Sequence, residues 1–306
     1  MRTLPALVAL AAASTLVLSG CTDASQTGAG TGDPAADQEA AFDTSAVETV
    51  DEIAALLPAD VAESGTLRVG SSTDYAPAEF IGPDGRTPVG YDIDIITAVG
   101  AVLGLEVDVQ SADFPSIIPA LGSKFDVGIS SFTITEERVA QANMISYFNA
   151  GEAFAVLAGN PEGIDPADVC GYTVAVQTGT VEDEGADALS AECEAAGDEP
   201  LDVLRYDSQA DATTNVVGGK ADILYADSPI VAYAVQQTEG ALEPLGDTFA
   251  SAPQGVVTAK DDTQLAEAVQ AALQHLVDDG TFAEILETWG NEDGGLETIE
   301  LNPTLP

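Results

Sequence analysis

The chain has 306 residues, of which 45% are hydrophobic and 6% aromatic, enough apolar material for one large core or two medium ones. It carries 52 Asp and Glu against 8 Lys and Arg, a formal net charge of −44. Such a surface repels phosphate backbones and anionic membranes, which excludes nucleic-acid binding and electrostatic membrane docking; the acidity itself speaks to solubility or to a salty or acidic habitat.

At the N-terminus Arg2 precedes an apolar and small-residue stretch, Leu4 to Leu18. It is short for a membrane span and suits the core of a signal peptide, placed over residues 1–20. Leu18-Ser19-Gly20-Cys21 resembles the lipobox of bacterial lipoproteins, which makes Cys21 the expected lipidation site and a lipid anchor the expected membrane contact. The other reading is an ordinary signal peptide followed by an incidental cysteine. Residues 21–64 read as a flexible acidic tether, rich in Gly, Ala, Ser, Thr, Asp and Gln in its first half. Val47 to Leu57 has helical spacing and suits a short helix packed on the body.

From Thr66 onward strands and helices alternate. Thr66–Gly70 predicts a strand, Pro83–Gly85 a turn, and the stripe Ile93, Ile96, Gly100, Leu103 a helix stopped at Gly104. Strands are predicted at 105–109 and 127–130, with a helix at 115–121 between them and another from Thr135. After residue 155 the pattern resumes: strands at 173–176, 203–206 and 223–226, helices from Thr180, at 210–217 and at 228–237. A strand at 255–258 leads into two closing helices, one carrying Leu265, Val269, Ala272 and Leu276, the other Phe282, Ile285, Leu286 and Trp289. The expected fold class is α/β: two lobes with mainly parallel sheets, and a ligand cleft beyond the carboxyl ends of the strands. Lobe one takes 65–152 and returns over 251–290, lobe two takes 153–250, and 291–306 form a C-terminal tail. The chain is expected to cross between lobes near Gly151–Phe154 and near Ala250–Gln254, as a two-strand hinge.

Cys170 and Cys193 remain as an even pair once Cys21 is set aside. In an oxidising compartment such a pair favours a disulfide; two buried thiols are the alternative. His275 is the only histidine, so neither a metal site nor a cofactor is expected.

Several motifs fall in order over about 220 residues. They are Gly90-Tyr91-Asp92-Ile93-Asp94-Ile95, Ile117-Ile118-Pro119-Ala120-Leu121 with Lys124-Phe125-Asp126-Val127, and Ser130-Ser131-Phe132-Thr133 running on to Arg138. Lobe two adds Val174-Ala175-Val176-Gln177-Thr178-Gly179-Thr180, Gly219-Lys220-Ala221-Asp222 and Ala226-Asp227-Ser228-Pro229. Asp279-Gly280-Thr281-Phe282 with Trp289 closes the series. On these residues the stretch from Thr66 to Trp289 resembles the family 3 bacterial extracellular solute-binding proteins, the polar amino acid receptors of ABC importers. The resemblance implies a type II periplasmic-binding fold and a monomer that captures a free amino acid for an ABC permease and ATPase complex.

A zwitterionic amino acid needs a cation for its carboxylate and an acid for its ammonium. Arg138 suits the first, because a guanidinium binds carboxylate bidentately; its alternative is a surface ion pair with Glu136 or Glu137. The resemblance makes Asp227 the ammonium partner, against the alternative of a helix N-cap. It also places Ser130, Ser131 and Thr133 at the ligand's main-chain groups, backbone N–H groups near Thr180 and Val181 at the carboxylate, and Tyr75 and Phe114 as apolar walls. This chain departs from the family at Ala78, often aromatic, at Val181, often Thr, and at Ser72, an acid in some members that take cationic ligands. Glu182 and Asp113 are the candidates for supplying that charge. The expected ligand is a neutral polar or cationic amino acid. The alternatives are an enzyme of the same fold, such as a cyclic-carboxylate dehydratase, and a ligand sensor docking on a receptor.

Overall fold

The computed structural model describes residues 41–305. The expected signal peptide, Cys21 and the first half of the expected tether lie outside the described residues. The second half of that tether is folded. Helices α1 (Asp51–Ala54) and α2 (Ala59–Ser64) lead into the body, and Phe42, Val47, Val50 and Ile53 pack against the main core. Those four apolar residues explain why this stretch does not stay free: each removes roughly 1 kcal/mol or more of apolar surface from water.

Lobe one opens with strand β1 (Thr66–Ser71), followed by a small antiparallel sheet of β2 (Asp74–Tyr75), β3 (Glu79–Ile81) and β4 (Pro88–Val89). Helix α3 (Tyr91–Leu103) follows and ends on left-handed Gly104, as its stripe predicts. Strand β5 (Glu106–Ser111), the short helix α4 (Phe114–Ile117), strand β6 (Val127–Thr133) and helix α5 (Glu136–Gln141) complete the first pass. The long strand β7 (Ala142–Leu157) carries the chain into lobe two. There β8 (Thr173–Gln177), α6 (Val181–Ala196), β9 (Asp202–Tyr206), α7 (Gln209–Val217), β10 (Ile223–Asp227) and α8 (Ser228–Gln237) alternate. A second long strand, β11 (Leu242–Ala259), returns to lobe one, and α9 (Thr263–Asp279) and α10 (Thr281–Thr288) cover it.

The eight-stranded sheet has the order β5-β1-β6-β11-β7-β10-β8-β9. Its two ends, β5-β1-β6 and β10-β8-β9, are parallel throughout, and the antiparallel pair β7–β11 joins them. The crossings expected near 151–154 and 250–254 are therefore interior stretches of two continuous strands. The register slips between Leu245 and Phe249 and again between Phe249 and Ala252, and Ala250 has φ 48°. These irregularities mark the stretch as the most deformable part of the ladder. The last residues are not loose either: Leu301 bridges to Ile145, Gly295 to Phe148, and Ile299 is buried.

The motif at the start of α3 has a structural explanation. Gly90 sits at φ 130°, and a Cβ there would lie 2.1 Å from the Ala78 carbonyl, so only glycine fits. The two acids that follow point in different directions. Asp94 accepts from the Trp289 indole at 2.7 Å and from the Phe42 amide at 2.8 Å, tying both ends of the body to one helix. Asp92 accepts from the Ser131 amide at 2.8 Å and the Tyr147 hydroxyl at 2.6 Å, tying that helix to the end of β6.

Cys170 and Cys193 are disulfide-bonded. The bond fastens the loop before β8 to the last turn of α6.

Candidate functional site

One cavity lies where the two lobes meet, with about 240 Å³ of space free of protein atoms. From lobe one it is lined by Tyr75, Phe114, Ser130, Ser131, Thr133 and Arg138; from lobe two by Gln177, Thr180, Val181, Glu182 and Asp227. All nine residues singled out as ligand candidates in the sequence thus converge on a single space. Gln177 and Glu182 join them. In the sequence Gln177 is part of a strand-end motif, and its amide side chain carries no charge signal that would mark it as a ligand residue.

Arg138 stands in the first turn of α5, whose N-cap Thr135 accepts from the Arg138 amide at 3.1 Å. Its guanidinium donates to the Thr133 carbonyl at 2.8 Å and across the cleft to the Gly179 carbonyl at 3.2 Å. It also lies over the Phe114 ring, 5.3 Å from the centroid, and Phe114 stacks on Phe132 at 4.7 Å. No ion pair with Glu136 or Glu137 forms among the described residues. Backbone carbonyls hold the fork in place but do not neutralise it, and burial pulls its pKa down. A half-buried cation with no carboxylate at ion-pair distance among the described residues is equipped to take an anion.

Asp227 ends β10 and precedes α8, yet its side chain makes no helix-capping bond. It accepts from the Tyr75 hydroxyl at 2.9 Å and from Gln254 Nε2 at 3.0 Å. Burial raises its pKa to about 7, with Glu152 adding to the rise and Tyr75, Arg138 and Gln254 opposing it. Glu182, in the first turn of α6, is also buried and has its pKa pushed well up, first by burial and then by Asp227. Its Oε1 has no hydrogen-bond partner. Tyr225 donates to Glu152 just behind this pair. Asp113, the other candidate for extra charge, is exposed and does not line the cavity.

The two serines are committed within lobe one. Ser130 donates to Glu79 Oε1 at 2.6 Å and accepts from the Ser72 amide at 3.0 Å. Ser131, held at φ 48°, turns its amide and hydroxyl toward Asp92. Glu79 and Asp92 are both fully buried, and burial drives both pKa values up, that of Asp92 to about 6. Glu79 Oε2 has no hydrogen-bond partner among the described residues, and after burial itself the neighbouring Asp92 carboxylate adds to the rise of the Glu79 pKa. Thr180 caps α6 by accepting from the Asp183 amide at 3.1 Å and donates to the Gln177 carbonyl at 2.9 Å. The N-terminus of α6 is thereby aimed at the cavity beside Val181, the position for an anion.

The arrangement is a half-buried cation and two buried acids, with the aromatic residues Tyr75 and Phe114 in the same lining, between lobes joined by a deformable ladder. It is equipped to bind a small molecule bearing both charges.

Comparison with known proteins places this geometry. Residues 67–292 match the model of the bacterial extracellular solute-binding proteins, family 3. The chain is 38% identical over 257 residues to the arginine-binding protein ArgT of Corynebacterium glutamicum, covering 83% of this chain and 84% of that one. It superposes on an ancestral arginine-binding protein bound to arginine with a TM-score of 0.68 and 33% identity, over 74% of this chain and 98% of that one. It matches equally well, at a TM-score of 0.68 and 30% identity over 75% and 97%, an ancestral amino acid-binding protein described as a precursor of cyclohexadienyl dehydratase. The chain belongs to the bacterial extracellular solute-binding proteins, family 3.

Proposed function

We propose that this solute-binding protein captures a free amino acid between its lobes and hands it to the permease and ATPase of an ABC importer. The observation that carries the reading is the pairing in one interlobe cavity of Arg138, a half-buried guanidinium with no carboxylate partner among the described residues, and Asp227, a buried carboxylate whose side chain makes no capping bond. Arg138 and the N-terminus of α6 take the ligand's carboxylate, and Asp227 takes its ammonium. Tyr75 and Phe114 flank the ligand. Arg138 belongs to lobe one and Asp227 to lobe two, so both charges are held only when the lobes close. Closure bends β7 and β11 where the register slips. The names of relatives that bind arginine make it the first ligand to try. In this reading Cys21 carries lipid, the protein works outside the cytoplasm on a membrane anchor, and it acts as a monomer.

The test is a thermal-shift screen of the purified chain against the twenty amino acids and several cyclic carboxylates. A micromolar ligand at millimolar concentration adds about 4 kcal/mol. A shift with an amino acid that is lost in Arg138→Ala and in Asp227→Ala supports the reading. A shift with cyclic carboxylates alone overturns it and favours an enzyme, the direction in which the dehydratase precursor points.

A further inference from the structure

The Asp227 side chain is not held by its own lobe. Its two side-chain donors come from other parts of the chain and end on the same oxygen: Oδ2 accepts from the Tyr75 hydroxyl at 2.9 Å and from Gln254 Nε2 at 3.0 Å. Oδ1 accepts from no donor among the described residues. The carboxylate is fixed through one atom and keeps its other oxygen for a further partner.

Gln254 reaches Asp227 from the crossing between the lobes. It pairs with Thr133 of β6 and with Phe148 of β7, which anchors its backbone in the sheet of lobe one. Asp227 pairs with Glu152 of β7, and Phe249 of β11 pairs with that same Glu152 at the lobe-two end of the crossing. The register slip between Phe249 and Ala252 lies between these two levels. The bond from Gln254 to Asp227 therefore bridges the deformable stretch of the ladder, and its length depends on how far that stretch is bent.

Stability does not account for this glutamine. Its side chain is 1% exposed, and its Oε1 has no hydrogen-bond partner. A buried amide with one half unsatisfied is costlier than an apolar residue of similar size, which needs neither half paired. The side-chain bond it does make goes to the acid expected to hold a ligand ammonium. Departures of this kind from local optimality are expected where function requires them.

We propose that Gln254 is a positioning residue for ammonium capture, holding Asp227 Oδ2 from the crossing strand so that Oδ1 meets the ligand's ammonium when the lobes close. The inference rests on the amino acid reading above and adds to it a residue that does not itself line the cavity. The amide also favours the ionised acid. Asp227 is surrounded by Tyr75 from β2, Tyr91 from α3, Arg138 from α5, Glu152 from β7 and Glu182 from α6, with Tyr225 on its own strand. Burial and Glu152 raise its pKa, and Gln254 is one of the groups that oppose the rise.

The experiment is calorimetric titration of the wild type, Q254M and Q254N with L-arginine between pH 5 and 8. Q254M keeps the length of the side chain and removes the donor; Q254N keeps the amide and withdraws it by one carbon. A hydrogen bond to a charged group corresponds to about 10- to 100-fold in affinity. Both variants are expected to lose affinity in that range near neutral pH. Both are also expected to move the midpoint of the pH dependence upward, because the acid loses a donor that favours its ionised form. Ligand-free Q254M is expected to melt no lower than the wild type. Unchanged affinity overturns the proposal. So does a loss of affinity with the midpoint in place, or a marked fall in melting temperature in both variants, either of which makes Gln254 a structural residue. In each of these cases the amino acid reading stands. If another of the twenty amino acids binds the wild type and arginine does not, that amino acid is titrated instead. If none binds, the proposal and the amino acid reading fall together.

Discussion

Tyr75 of lobe one donates its hydroxyl proton to the Asp227 carboxylate of lobe two, 2.9 Å away, and accepts from the Asp227 amide at 3.3 Å, so the phenol spans the cleft at the point where a ligand ammonium is expected. The phenol is a neutral stand-in for that ammonium. Removing a carboxylate that holds a buried charge costs about 2–5 kcal/mol in binding, or roughly 30- to several-thousand-fold. We expect Asp227→Ala and Arg138→Ala each to lose amino acid affinity in that range. Tyr75→Phe, which removes a neutral donor, is expected to lose about tenfold or less. Titration calorimetry of the three variants gives the order directly; equal losses would show that the phenol has a larger part than a neutral donor can supply.

Acid should loosen ligand binding. Asp227 must be ionised to hold an ammonium, and its pKa stands at about 7 among Glu152, Glu182, Tyr75 and Arg138. Affinity is expected to rise with pH up to about 7 and then level off, with a proton released on binding below that pH. Titrations in buffers of different ionisation enthalpy read that proton. A flat profile between pH 5 and 8 would place the carboxylate's ionisation elsewhere.

The Glu79–Asp92 pair makes a separate prediction about stability. The folded pKa of Glu79 is raised, so the folded protein holds a proton that the unfolded chain gives up. Its contribution is greatest at low pH and is lost as pH rises above the ordinary glutamate value near 4.5. Glu79→Gln keeps a donor facing Asp92 permanently. We expect it to fold with near wild-type stability and to flatten the decline of melting temperature from pH 5 to 8. Glu79→Ala leaves Ser130 and Asp92 with an unfilled space and is expected to cost about 1–3 kcal/mol, read by urea denaturation.

The Cys170–Cys193 bond closes a loop at a sequence separation of 23. A loop of this size is worth about 3 kcal/mol, so reduction or a Cys170→Ala/Cys193→Ala double change should lower the melting temperature by roughly 6–12 °C. The ligand groups at the N-terminus of α6 lie three turns from Cys193, and ligand affinity is expected to stay within about threefold. A large loss of affinity would show that the bond also positions that terminus.

Much of this architecture is legible in the residues. Helix α3 and its stop at Gly104 follow from the stripe of Ile93, Ile96 and Leu103; Arg138 follows from the cation a carboxylate needs, whereas Asp227 is singled out only by the family resemblance, and both line the one cavity. What escaped is equally instructive. The small sheet β2–β3–β4 has two- and three-residue strands, too short for alternation to register. Residues 242–250 of β11 alternate poorly, because pairing with β7 rather than one-sided burial holds them. Asp92 is legible only as part of the Gly90–Ile95 motif and Glu79 carries no signal of its own; only the fold brings them together.

The return of β11 to lobe one fixes an order of assembly. Lobe two needs only the chain through Leu245, where β11 finishes pairing with its end of β7. Lobe one at that moment lacks the 254–258 segment that pairs with β6, and it lacks α9 and α10, which pack against α3. A chain emerging from its N-terminus can therefore complete its second lobe first. Until the last fifty or so residues arrive, β6 is a bare edge and α3 an uncovered apolar face, the condition in which nascent chains most need shielding.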